Sequence, residues 1–280
     1  MNATASTRLI SITRSLLTGN VRRASRVLLN LKVASILSVL GAWWLLSLFT
    51  SESILPSPAS TFETMREMAS RDGPYGKRVW DHFGTTFVRI IASFGVSLVL
   101  GTAIGIAMGM RRTVERALVN LVPLGLALPT LLVAFLFILW FGFGELAVHL
   151  AVVAVVTPFV IVNVWEGTKA MDKELLDMAS AFKATPVMLV TKLIVPQLMP
   201  YLFSAFRYGF GVTWKIVLLA ETFSQTTGIG VMVNLYYEQF NMAKVFAWLM
   251  TFVVVILVLE HLVFARIERR IFKWRHEIAS

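Results

Sequence analysis

The sequence predicts an all-helical integral membrane protein with six spanning helices. Three observations predict it: an apolar composition, six long hydrophobic windows, and basic residues gathered on one side of them. Of 280 residues, 57% are apolar and 15% charged, with a mean hydropathy of +0.73. Soluble domains are about 45–50% apolar and about 25% charged. Too few charges are available to cover a soluble surface, so lipid is the main solvent. The chain has no cysteine, which excludes disulfides, thiolate metal ligands and cysteine nucleophiles.

A spanning helix needs about 20 mostly apolar residues, each advancing about 1.5 Å across a core roughly 30 Å thick. Windows of that kind lie at about 28–49, 86–110, 118–141, 146–164, 201–222 and 245–264. The fifth is the weakest, because it carries Arg207 and Lys215. The longest gaps, 51–85 and 165–200, are too short for a soluble domain. The chain therefore divides into a basic N-terminal segment (1–27), a six-helix domain (28–266) and a C-terminal tail (267–280). From Ser6 to Arg26 basic and apolar residues alternate, which fits either a helix lying along the membrane surface or a basic tail. The apolar run from Val33 to Phe49 is long for a signal-peptide core, and Thr50-Ser51-Glu52 is not a small-x-small cleavage site. The first window is therefore read as an uncleaved span.

Six spans put both termini on one side, and the Lys/Arg bias says which. With the N-terminus cytoplasmic, eighteen of the 26 basic residues fall inside: six up to Lys32, then Arg111, Arg112 and Arg116, four from Lys169 to Lys192, and five from Arg266 to Arg275. Five fall outside (Arg66, Arg71, Lys77, Arg78 and Lys244), and Arg89, Arg207 and Lys215 lie within spans. The net charge of +10 thus reads as membrane topology and lipid contact, and nucleic-acid binding is excluded.

Within the second window Ser93, Ser97, Gly101, Gly105 and Gly109 recur every four residues, a small-residue stripe along which another helix can approach closely. Pro123, Gly125 and Pro129 in the third window and Pro158 in the fourth are expected kinks. They serve either a pathway or packing alone. Ionisable groups inside a membrane are costly and are functional candidates by default. Arg89 and Glu221 share a depth near the outer boundary on antiparallel spans. One reading pairs them as a structural or gating ion pair, and the other has Arg89 lining the pathway and meeting solute while Glu221 faces the outer loops. Arg207 and Lys215 are further candidates for the pathway. Arg207 and Glu260 lie near inner span ends, where a purely structural role is also open.

The sequence contains no GxxxxGK[ST], HExxH or GxSxG, and its four histidines are scattered. The chain is neither an ordinary P-loop ATPase nor a hydrolase with those motifs. The 166–200 segment is organised instead. Leu175, Met178, Ala179 and Phe182 recur at helical spacing, and Thr185-Pro186 reads as a restart with threonine capping and proline at the first helical position. Two short amphipathic helices joined by a tight turn are expected, without catalytic residues: a docking element, or else two surface helices that simply cover the bundle.

This loop resembles the EAA loop of ATP-binding-cassette importer permeases. Asp177, Met178 and Ala179 stand at the EAA positions, and Leu193, Val195 and Pro196 close the pattern. Lys183 stands where that family has glycine, and Ala184-Thr185-Pro186 supplies the break. Further marks resemble the permeases for nitrate, sulfonates and taurine. They are LPSP at Leu55–Pro58, the Thr85–Arg89 stretch, WFGFGE at Trp140–Glu145, the Phe206–Glu221 run, GIG at Gly228–Gly230, and the tail Glu268–Arg275.

The resemblance implies the type I importer permease fold in a bacterial inner membrane with both termini cytoplasmic. It also implies a second permease chain as a homodimer partner, two ATPase subunits using ATP and Mg, and an external solute-binding protein. This chain itself would bind no cofactor. The coupling role falls on Asp177, Met178, Ala179, Phe182, Lys183, Ala184, Thr185, Pro186 and Pro196. Two rivals are weighed against it. A secondary transporter or channel should show inverted repeats, and a membrane enzyme should show a convergent nucleophile or metal cluster. The sequence shows neither.

Overall fold

In the computed structural model of the protein, residues 31, 33–70, 78–260, 262 and 266 are described. Expectations for the N-terminal segment, the C-terminal tail and the far end of the sixth window lie outside them. The described residues are helical, without strands. Among the described residues four helices are long and apolar enough to cross a membrane, and a bent pair makes a fifth if counted as one span. The first window contributes the shorter apolar helix α1 (Val33–Leu48).

The chain divides into two compact units, Met1–Glu63 and Thr64–Ser280. In the first, α1 is followed by a turn in which the Trp43 indole donates to the Pro56 carbonyl at 3.1 Å. Helix α2 (Pro58–Ser70) starts after Ser57, whose hydroxyl accepts from the Ser60 amide at 3.1 Å.

The second unit is built on α3 (Val79–Met110) and α7 (Glu145–Lys169), which run parallel along the small-residue stripe. A Cβ on Gly101 would lie 2.5 Å from the Val160 Cβ, and one on Gly105 would lie 2.8 Å from the Val164 Cβ. One on Gly109 would collide with the Thr168 side chain. Both helices advance four residues per contact, so the seam is one i, i+4 row against another. Near its start the Ser93 hydroxyl and His149 Nδ1 are 2.7 Å apart.

The third window differs from the single kinked span expected. After α4 (Arg112–Leu118), which leads into it, the window forms α5 (Leu121–Ala127) and α6 (Thr130–Phe141), and the chain turns by 98° between α5 and α6. The break falls at Leu128, held extended before Pro129, because a residue preceding proline is pushed out of the helical region. Pro123 sits within the first turn of α5, where its missing N–H costs little, and α7 continues unbroken past Pro158. Pro158 is used as a surface: a Cβ on Gly125 would lie 2.7 Å from its ring.

After α8 (Lys173–Ala181) comes α9 (Pro186–Met188), then a π-helical turn (Leu189–Ile194) that runs directly into α10 (Val195–Ser224). The expected second short helix is thus the start of the fifth span. The wider π turn makes room for Pro196, whose ring would otherwise crowd the preceding turn. Helices α11 (Ile229–Glu238) and α12 (Met242–Leu259) complete the unit. One core gathers Ile90, Phe94, Val152, Val156, Val160 and Val217 from α3, α7 and α10. A second gathers Phe83, Met232, Tyr236, Trp248 and Phe252 from α3, α11 and α12.

Candidate functional site

Four sequence marks far apart in the chain meet in one place. Arg89 of α3 is 2% exposed and Glu221 of α10 fully buried, with Nη1 and Oε1 2.7 Å apart. The Arg89 guanidinium also forks onto Glu145, the first residue of α7, with Nε 2.7 Å from Oε2 and Nη2 on Oε1. Its remaining donors go to the Thr227 carbonyl and to the Gln225 side chain at 3.1 Å, so all five N–H groups are used. Glu221 is equally occupied. Its Oε2 accepts from the Thr86 hydroxyl and the Gly230 amide, each at 3.0 Å. Thr86 in turn accepts from the Ile229 amide at 2.9 Å.

The backbone at Gly228–Gly230 makes this closure possible. Gly228 has φ +135, and a Cβ there would run into the Glu221 carboxylate. On Gly230 a Cβ would collide with the Leu218 carbonyl and stand 2.9 Å from the Glu221 Cβ. The Gly228 amide donates to His82 Nδ1 at 3.2 Å, which puts the proton of a neutral His82 on Nε2. One charge-assisted network therefore ties α3, α7, α10 and the start of α11. Glu145 differs from Glu221 in being 56% exposed, so the node has one dry and one wet carboxylate.

Sequence reasoning had paired Arg89 with Glu221 but missed Glu145, Gln225, Thr227 and the two glycine amides. The signal was present in WFGFGE and GIG, read as separate marks. Gly142, at φ +75, ends α6 and aims the chain so that α7 begins with Glu145.

Arg207 and Lys215 lie elsewhere, on an exposed stripe of α10. Arg207 Nη2 is 3.4 Å from Glu260 Oε1 just beyond α12, both side chains about half exposed (45% and 44%). The Lys215 ammonium stands over the Trp214 ring at 5.5 Å. Both cations and Glu260 line a cleft of about 690 Å³ with aromatic walls. Asn163 donates to the Phe159 carbonyl one turn back at 2.9 Å, a local helix bond.

At the α8–α9 turn, Lys183 adopts φ +51 and the Ala184 amide donates to the Ala179 carbonyl at 2.9 Å. That is a left-handed helix C-terminus of the kind glycine usually provides, here made with lysine. Thr185 Oγ1 accepts from the Met188 amide at 3.3 Å, the N-cap its sequence suggested. Asp177, Met178, Phe182, Lys183 and Thr185 are exposed, Ala179 and Ala184 half-buried, and Phe182 is 81% exposed. Pro196, in the first turn of α10, is exposed as well. Among the described residues no group of acidic or histidine side chains could hold a metal ion.

A bundle of long apolar helices with a charge network buried between them is the architecture of an integral membrane protein. The chain belongs to the binding-protein-dependent transport system inner membrane component family, whose sequence model matches residues 97–273. It is 26% identical over 250 residues to the taurine transport system permease protein TauC of Escherichia coli K12, covering 89% of this chain and 90% of that one. It is 28% identical over 227 residues to the putative aliphatic sulfonates transport permease protein SsuC of Bacillus subtilis 168, covering 81% and 80%. It is 24% identical over 218 residues to the bicarbonate transport system permease protein CmpB of Synechococcus elongatus, covering 75% and 77%. In fold it is similar to a chain of the MetNI methionine ABC transporter in an inward-facing form. That match has a TM-score of 0.59 and 19% identity, over 75% of this chain and 98% of that one. The protein is the permease of an ABC importer, a transport component and not an enzyme.

Proposed function

We propose that the chain crosses the bacterial inner membrane six times with both termini cytoplasmic. In this reading α1, the α4–α6 region and the four long helices form the spans. Two copies enclose a pathway for a small solute of the nitrate, sulfonate or taurine kind, delivered by an external binding protein. Two separate ATPase subunits dock on α8 and the turn that follows, and use ATP and Mg. Asp177, Met178, Ala179 and Phe182 through Pro186 form the contact, while Pro196 marks where it passes into the fifth span. ATP-driven closure of the ATPase pair shifts the bundle between two states, and each ligand biases that equilibrium only by its differential affinity for them. The Arg89 node holds the outer ends of α3, α7 and α10 together.

The observation that carries the reading is the 181–188 turn. It is stiffened by a left-handed cap on one side and a threonine cap on the other, yet it presents Phe182, Val187 and Met188 bare, at 81%, 70% and 54% exposed. Unpartnered apolar side chains on a rigid tip mark an interaction site. Phe182→Ser should leave the permease folded and membrane-inserted while an ATPase subunit no longer co-purifies and uptake is lost. Undiminished co-purification and uptake would remove the assignment. Glu174→Cys should react with an impermeant thiol reagent only from the cytoplasmic side. Reaction from outside in intact cells would reverse the topology.

A further inference from the structure

We infer that the cleft between α10 and α12 is where the translocated solute makes its charge contact. It takes a small monoanion with an oxyanion head on a short apolar body. Arg207, Gly211 and Lys215 are spaced four apart and form one stripe along α10. Gly211 opens that stripe, since a Cβ there would meet nothing within 4 Å. Glu260, Trp214 and Phe252 also line the cleft, whose volume is about 690 Å³.

The charges do not cancel. Arg207 has Glu260 at 3.4 Å. Lys215 has a ring at 5.5 Å and no carboxylate in an ion pair among the described residues. Lipid is a costly neighbour for such an exposed ammonium within a span, so this face turns towards water. One uncompensated positive charge selects a single negative one. The aromatic walls accept an apolar body, and an ammonium on a flexible stem binds as a point charge rather than as a closed cage, leaving the anion free to move on. The half-exposed Arg207–Glu260 pair costs little to open, which supplies a second, transient donor one step along the stripe. The inference rests on the permease reading only in treating the bound anion as cargo.

The absence of cysteine permits a direct test. Gly211→Cys and, separately, Tyr208→Cys place a single thiol on the stripe in membrane vesicles of either orientation carrying the full chain. Each is labelled with anionic sulfonatoethyl and cationic trimethylammonioethyl methanethiosulfonate, the rates being normalised to those of free cysteine. The anion-to-cation rate ratio should rise by about tenfold in a cleft of positive potential. It should fall back in Lys215→Gln, invert in Lys215→Glu and persist in Lys215→Arg, and excess ethanesulfonate should slow labelling. No labelling at either position from either side, a ratio equal to that of free cysteine, or a ratio indifferent to Lys215→Gln would overturn the inference. The permease reading fails separately, if no ATPase subunit co-purifies with the unsubstituted chain.

Discussion

Replacing Arg89 by alanine removes five hydrogen bonds at once and strands Glu221, which has no exposed surface. Breaking a buried ion pair from one side costs about 3–5 kcal/mol, because the partner charge remains dry and unmatched. Glu221→Ala should cost somewhat less, about 2–4 kcal/mol. Arg89 keeps its fork onto Glu145, but the Gly230 amide and the Thr86 hydroxyl lose their acceptor. The two losses share one interaction, so Arg89→Ala/Glu221→Ala should be milder than their sum by about 2–3 kcal/mol. The same cycle through Glu145 should give only about 1 kcal/mol, because that carboxylate is 56% exposed and water replaces the arginine. Denaturant titration of the purified permease in mixed micelles, followed by tryptophan fluorescence, measures all five variants against the parent. Additive losses within about 0.5 kcal/mol for Arg89 and Glu221, or a larger coupling through Glu145, would refute the view that burial ranks the two carboxylates.

Gly230→Ala should cost about 2–3 kcal/mol in the same assay, since its Cβ is driven onto the Leu218 carbonyl and towards the Glu221 Cβ at 2.9 Å. Gly105→Ala should cost about 1–3 kcal/mol by prising α3 from α7 at the 2.8 Å contact with Val164, whereas Gly95→Ala, where a Cβ meets nothing within 4 Å, should be neutral or stabilising. Lys183→Gly should raise stability by up to about 1 kcal/mol, because a left-handed backbone strains lysine and not glycine. Hydrogen exchange at the Ala184 amide reports whether the cap has tightened.

Much of this protein is legible locally. Its apolar windows, the stripe that brings α3 against α7, and the Thr185 cap all follow from periodicity and residue type within one or two turns of chain. Even the Arg89–Glu221 pair was accessible, because two charges at matching depth inside a membrane have few other places to go. Three features were settled elsewhere. Pro129 breaks the third window into a 98° bend while Pro158 leaves α7 whole, although both are prolines in apolar windows. Pro196 does not end a helix because a π turn precedes it, and α10 runs on through Pro200. Lys183 holds a conformation its type disfavours, between the Ala184–Ala179 bond that closes α8 and the Thr185 cap that opens α9. The charge node is the clearest case. Glu145, Gln225, Thr227 and Gly230 converge on Arg89 and Glu221 only once three helix ends and a loop are packed together. Sequence spacing carries the period of a helix, but the partner of a buried charge is chosen by which chain ends the bundle brings within hydrogen-bonding distance.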